Sequence, residues 1–140
     1  MRKMVVSERS TPMNTSTLIF VTAQFEGWHC WPEAPEQVSY LRQLHRHLFN
    51  VKVFVKVGTP DREVEFHILK GWVKECIGRR LEPMTRRVSH DVVQSASCEM
   101  LAHALRAQLV AEHPQLVVTG VLVDEDGECG ALVSWEVPNE

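Results

Sequence analysis

The stretch Leu48–Val57 constrains the fold of this chain more than any other. Phe49, Val51, Val53, Val55 and Val57 share one parity, while Asn50, Lys52 and Lys56 share the other, and only Phe54 breaks the alternation. Successive side chains on a strand point to opposite faces, so the pattern describes a strand with one face in a core and the other mostly in water.

The segments around it have equally readable periods. Thr17–Phe25 is apolar and β-branched and reads as a preceding strand, followed by a Trp- and Pro-rich connection, GWHCWPEAPEQ. A short helix is expected over Glu36–Leu44. Gly58-Thr59-Pro60-Asp61 reads as a turn and Arg62–Phe66 as a short extended return. Ile68, Leu69, Trp72, Val73, Cys76 and Ile77 recur at helical spacing, with Gly78 placed to stop the helix. Residues 79–96 carry no period and read as loop. Ser97 is a fitting N-cap for a second helix, with Glu99 facing the positive end of its dipole. Met100, Leu101, Ala104, Leu105 and Leu109 form its apolar stripe, and Pro114 closes it. Leu116–Val123 and Ala131–Val137 read as strands flanking the hairpin signal Asp124-Glu125-Asp126-Gly127.

The order strand, strand, helix, helix, strand, strand predicts an α+β fold: a four-stranded antiparallel sheet with both helices on one face. Residues 17–140 form one domain and residues 1–16 a flexible N-terminal arm, with no internal repeat. With 140 residues, 44% of them apolar, the chain can bury a sizeable core.

Charge and composition narrow the function classes. A net charge of −3 leaves no electrostatic footprint for nucleic acid, and Arg79, Arg80, Arg86 and Arg87 read as a solvated loop. No apolar run approaches the ~20 residues of a membrane helix. The first 16 residues hold only the short apolar patch Met4-Val5-Val6 and no secretory signal. Cys30, Cys76, Cys98 and Cys129 are scattered without a CxxC pair, so reduced thiols and a cytoplasmic location are expected. Cys76 and Cys129 read as small core residues.

The chemistry concentrates at histidine. His45 and His47 lie two apart, so on a strand they face the same side about 7 Å apart, on the parity of Phe49 and Val51. His29 lies just past the first strand. If the two strands pair antiparallel, all three meet at one edge of the sheet. Three neutral imidazoles with an open fourth position are a catalytic zinc ligand set. On spacing alone, three unrelated polar side chains at a loop is an equal reading.

Phe25-Glu26-Gly27-Trp28-His29 followed by Leu44-His45-Arg46-His47-Leu48-Phe49-Asn50-Val51 resembles the pattern FxxxH…LHGHxFxV of the 6-pyruvoyltetrahydropterin and 6-carboxytetrahydropterin synthases. Downstream, Glu65-Phe66-His67-Ile68-Leu69-Lys70 is similar to the family's DFxxLK, and Ser97-Cys98-Glu99-Met100-Leu101-Ala102 to its TSExLA. Val121-Leu122-Val123-Asp124-Glu125 resembles the family strand that ends in a glutamate. The likeness runs from about Phe20 to Val137. It implies a tunnelling fold (T-fold), Zn2+ held by His29, His45 and His47, and Glu125 accepting hydrogen bonds from the ring of a pterin- or guanine-like ligand. Asp124 and Asp126 leave the register of that carboxylate open. The resemblance also implies a homo-oligomer in which sheets join into a barrel, a hexamer or another ring.

Two departures bear on activity. The family's catalytic cysteine falls at Leu41, and its Asp-His pair at Glu82-Pro83. Arg46 replaces the glycine between the paired histidines. Cys30, Glu82, His90 and Cys98 are the candidate replacements, Cys98 because a helix N-terminus favours a thiolate. Two expectations follow: a zinc-dependent lyase acting on a pterin- or guanine-derived molecule, or a catalytically inactive relative that sequesters or senses a purine, pterin or nucleotide; the retained histidine triad argues against a third, a purely structural oligomer with a vestigial site.

Overall fold

The computed structural model describes residues 15–88, 91–92 and 95–136, with backbone only at 88, 91 and 92. Strand β1 (Thr17–His29) pairs antiparallel with β2 (His45–Val57) along its whole length, from Thr17 opposite Val57 to His29 opposite His45. A 3-10 segment, Glu36–Arg42, lies in the connection. Helix α1 (Phe66–Cys76) runs on through a π-helical turn, Ile77–Leu81, into the single turn α2 (Glu82–Met84). The two-residue strands β3 (Arg87–Val88) and β4 (Asp91–Val92) pair as a small hairpin. Helix α3 (Cys98–Glu112) leads to β5 (Val117–Glu125) and β6 (Cys129–Ser134).

The main sheet has the order β1-β2-β5-β6, antiparallel throughout and open at both ends among the described residues. Helix α1 packs against β1 and α3 against β5 and β6, so both helices cover one face. The expected α+β architecture is therefore present. No described helix is long and apolar enough to cross a membrane.

The alternation of β2 sets the core. Phe49, Val51, Val53 and Val55 are at most 1% exposed and pack with Leu69 and Val73 of α1 and Leu101, Leu105 and Leu109 of α3. Each such side chain contributes roughly 1.5–3 kcal/mol by leaving water. The opposite face is uncovered: Leu18, Phe20, Val117 and Leu132 are exposed there, beside the tilted ring pair Phe20–Phe54.

Several local expectations change. Arg62–Phe66 is not an extended return, because Glu65 caps α1, its side chain accepting from the backbone N–H groups of His67 and Ile68. These hydrogen bonds hold the Glu65 carboxyl below the usual range. Gly78 does not stop the helix. The chain widens there into a π-turn, which keeps Ile77, Leu81 and Met84 facing the core, so residues 79–84 are helical rather than loop. Strand β1 continues beyond Phe25, and the expected loop residues Gly27, Trp28 and His29 belong to it. In β5 a register shift leaves Thr119 unpaired between Val118, opposite Val55, and Gly120, opposite Phe54. Residues 1–14 of the expected arm and the expected strand end Val137 lie outside the described residues.

Gly27 shows why β1 can extend. Thr85, 1% exposed, lies directly against it, and a Cβ at Gly27 would stand 2.6 Å from Thr85 Cβ and Oγ1. The Trp28 N–H donates to Thr85 O at 2.8 Å, fastening α2 to the strand one residue before His29. Gly27→Ala is expected to overpack this contact and lower stability by about 1–3 kcal/mol, read as a lower urea midpoint with an unchanged slope. An unchanged midpoint would show that Thr85 yields freely.

Candidate metal centre

The β1–β2 register places His29 opposite His45, and His47 follows two residues along on the same face. The ring centroids of the three lie 4.6, 4.9 and 5.1 Å apart, with planes 70–89° to one another. Phe49 forms a floor, edge-on to His29 at 5.5 Å and to His47 at 5.8 Å. The sequence-level cluster is thus assembled in space, with His29 buried and the other two half-buried.

Each imidazole is oriented through Nδ1. His29 Nδ1 lies 2.8 Å from Ala96 O, His45 Nδ1 2.8 Å from Gln43 O, and His47 Nδ1 2.6 Å from Asp126 Oδ2. Carbonyl and carboxylate oxygens only accept, so each Nδ1 carries the proton and donates. In the neutral ring that leaves a lone pair on Nε2. One candidate ligand atom from each residue falls within a single cluster, all within 4.8 Å of one another. His47 Nε2 is buried without a hydrogen-bond partner. A buried acceptor with nothing to accept from is costly. An ordered set of lone pairs with its outer nitrogens tied to oxygens is the arrangement a histidine-bound cation requires.

The β5–β6 hairpin supplies the other half. Asp126, in the left-handed region at φ 59°, holds His47 and also accepts from Leu48 N–H through Oδ1 at 2.8 Å. The Leu48 bond and then His47 hold its carboxyl below the usual range. Gly127, at φ 75°, completes the turn. Glu125 turns toward the imidazoles, with Oε2 3.3 Å from His29 Nε2 and Oε1 3.5 Å from His47 Nε2. Asp124 is bound instead to Asn50 Nδ2 and Gly127 N–H, each at 2.8 Å. Of the three acids, Glu125 is the one whose carboxylate faces the Nε2 side of the cluster. Arg46 lies away from it, paired with Glu26 across the strands at 3.1 Å, so its charge does not crowd the centre.

A cleft of about 450 Å³ opens beside the cluster, lined by His29, Cys30, Leu41, His45, Cys98 and Glu125 among others. The half-buried Cys30 and the apolar Leu41 both reach it. Cys98 also lines it, but not as a thiolate. Burial first, then the Glu125 and Glu99 carboxylates, push its thiol up to about 12, outweighing the helix N-terminus, and Sγ lies 3.8 Å from Glu125 Oε2 as a donor. Cys129 is exposed at the cleft edge rather than in the core, whereas Cys76 is fully buried as expected. Glu82 sits exposed in α2 and is not among the residues lining the cleft. His90 lies outside the described residues. Sequence reasoning missed Asp126 as the support of His47 and Ala96 O as that of His29. The first was within reach, since a hairpin-tip aspartate tolerates left-handed backbone and can bond back to the strand.

Burial lowers the His29 pKa below its ordinary 6.5, against the opposing pull of Ala96 O and Glu125. The unfolded chain therefore takes up this proton more readily than the folded one. The contribution is complete above pH 6.5 and is lost as the pH falls through the lowered value. Metal-free protein is expected to show a urea midpoint that falls as the pH is taken below 6.5, with a flatter profile for His29→Gln. Identical profiles for the two proteins would contradict this.

No protein-family model matches this chain, and no curated protein matches it. Among solved structures it is similar to an uncharacterized protein, WS1659 from Wolinella succinogenes, with 16% sequence identity and a TM-score of 0.62. The match covers 86% of this chain and 100% of that one. At that identity the likeness is one of fold alone.

Proposed function

We propose that this chain is a zinc-binding domain of T-fold type that holds a pterin- or guanine-derived small molecule in the cleft without performing the pterin synthase reaction. The observation that carries the reading is the convergence of three Nδ1-anchored imidazoles, His29, His45 and His47, two of which, His29 and His45, line a cleft of about 450 Å³. That volume suits a bicyclic ring with a short side chain. Zinc, held by the three Nε2 atoms, would polarise oxygens of that side chain. The ring-anchoring role that the resemblance implies for Glu125 requires its carboxylate to turn from the imidazoles toward the cleft.

The absence of the family's reaction rests on two positions. Leu41 lines the cleft where the resemblance places a catalytic cysteine, and Pro83, in α2, has no titratable group where it places a histidine. General acid–base groups contribute about 10²–10⁴-fold each. The enzyme reading, a zinc-dependent lyase, is favoured by one feature, the Cys30 thiol in the cleft beside His29.

Protein purified from cells is expected to carry about one zinc per chain, to lose it in His45→Ala or His47→Ala, and to bind a pterin or guanine with little turnover of dihydroneopterin triphosphate. Full zinc occupancy in the doubly substituted protein would sink the metal assignment. Efficient conversion of that substrate would overturn the inactive reading and direct attention to Cys30.

The exposed Leu18, Phe20, Val117 and Leu132 and the open edges of β1 and β6 support a homo-oligomer, a hexamer or another ring, in which neighbouring sheets join. Light scattering is expected to show a multimer at micromolar concentration. A stable monomer would contradict it.

A further inference from the structure

The orientation of Glu125 has no counterpart in a site whose metal is held by histidines alone. With each Nδ1–H spent on an oxygen, His29 and His47 present Nε2 lone pairs to the Glu125 carboxylate at 3.3 and 3.5 Å. Acceptors facing acceptors at that range repel one another unless a cation, a metal ion or a second proton on an imidazole, lies between them. Bonds of ~2.0–2.1 Å around a tetrahedral ion put neighbouring donor atoms about 3.3–3.4 Å apart, close to the two separations seen here, one from each carboxylate oxygen. A carboxylate serving as a base to a metal-bound water would stand one hydrogen bond further out, more than ~4 Å from the imidazole nitrogens. One neighbour contacts the side chain in this orientation, and the strand register sets its position. The Cys98 thiol donates toward Oε2, and Phe49 is the cross-strand partner of Glu125 on β2.

We infer that Glu125 is the fourth protein ligand of the metal, so that His29, His45, His47 and Glu125 close the site in the resting protein. The inference rests on the proposed metal site and adds to it a closed coordination shell. It makes the metal inaccessible to small anions while the carboxylate is in place. A ligand that reaches the metal must first displace Glu125, and the displaced carboxylate is then free to accept N–H donors from the cleft.

The test uses the full chain loaded with Co2+, in wild-type, Glu125→Ala and Glu125→Gln forms, with His45→Ala as the control for the metal site itself. Affinity is read by chelator competition and coordination by the visible Co2+ spectrum during an azide titration. The wild-type spectrum is expected to stay unchanged in millimolar azide. Both Glu125 variants are expected to bind Co2+ at least ~100-fold more weakly, at or beyond the ~10–100-fold range of outer-shell losses, and to shift their spectra as azide enters the vacated position. Wild-type affinity in both variants, with azide reaching the metal equally in all three proteins, would overturn the inference and leave the three-histidine site standing. Failure of the wild type to take up Co2+ or Zn2+, or retention of the metal by His45→Ala, would overturn the metal site and this inference with it.

Discussion

The full-length pairing of β1 with β2 is the contact on which everything at the site depends. It is what turns His29 and His45, sixteen positions apart in the chain, into direct cross-strand neighbours. A one-residue slip would carry every side chain of β2 to the other face. Phe49, Val51, Val53 and Val55 would leave the core together, at roughly 6–12 kcal/mol for the four. That is comparable with the ~5–15 kcal/mol net stability of a whole domain. The register of the candidate metal centre is therefore enforced by apolar burial well away from it, and the histidines need contribute nothing to their own alignment.

The second half of the centre is aimed by an irregularity. At the start of β5 the even position Val118 faces the core, but beyond the unpaired Thr119 the odd positions Val121 and Val123 are buried. A bulge of this kind inserts one residue and inverts the parity of all that follows. Without it, Asp124 would face the imidazoles and Glu125 would face Asn50. The same hairpin then places Asp126 in a left-handed turn where one carboxylate reaches both His47 Nδ1 and Leu48 N–H. A single extra residue and one unusual backbone angle thus decide which of three consecutive acids meets the centre and in what role.

These features explain what the sequence disclosed and what it concealed. The β2 alternation, the Ser97 cap, whose side chain accepts from Met100 N–H, and the paired spacing of His45 and His47 are local patterns, and each appears in the structure where expected. The features that local patterns hide depend on distant contacts. Gly27 reads as a loop residue until Thr85 is found against it. Gly78 reads as a helix stop, but the burial of Ile77 and Leu81 carries the helix through a π-turn. The choice between Asp124 and Glu125 turns on a bulge that Gly120, within an otherwise apolar run, only hints at. The helix position of Cys98 points to a thiolate, whereas burial and three nearby carboxylates push its thiol the other way.

The electrostatics of the centre follow from where the charges were sent. Arg46 lies on the opposite face, where it pairs with Glu26, although it sits between two of the converging histidines. Strand parity sends it there regardless of its charge, so a residue that looks hostile to a cation in the sequence is harmless in the fold. The acids are distributed the other way: Glu125 lies against the Nε2 atoms and Asp126 behind His47. The polar set around the Phe49 floor thus consists of neutral acceptors and carboxylates, on a backbone whose geometry is fixed by core packing. Such a preformed arrangement lowers the ordering cost of binding, and its unbalanced negative character favours a divalent cation over a neutral ligand. The apolar ladder of β2 and the polar cluster at its end are in this sense one construction: the ladder fixes the register, and the register gathers the lone pairs.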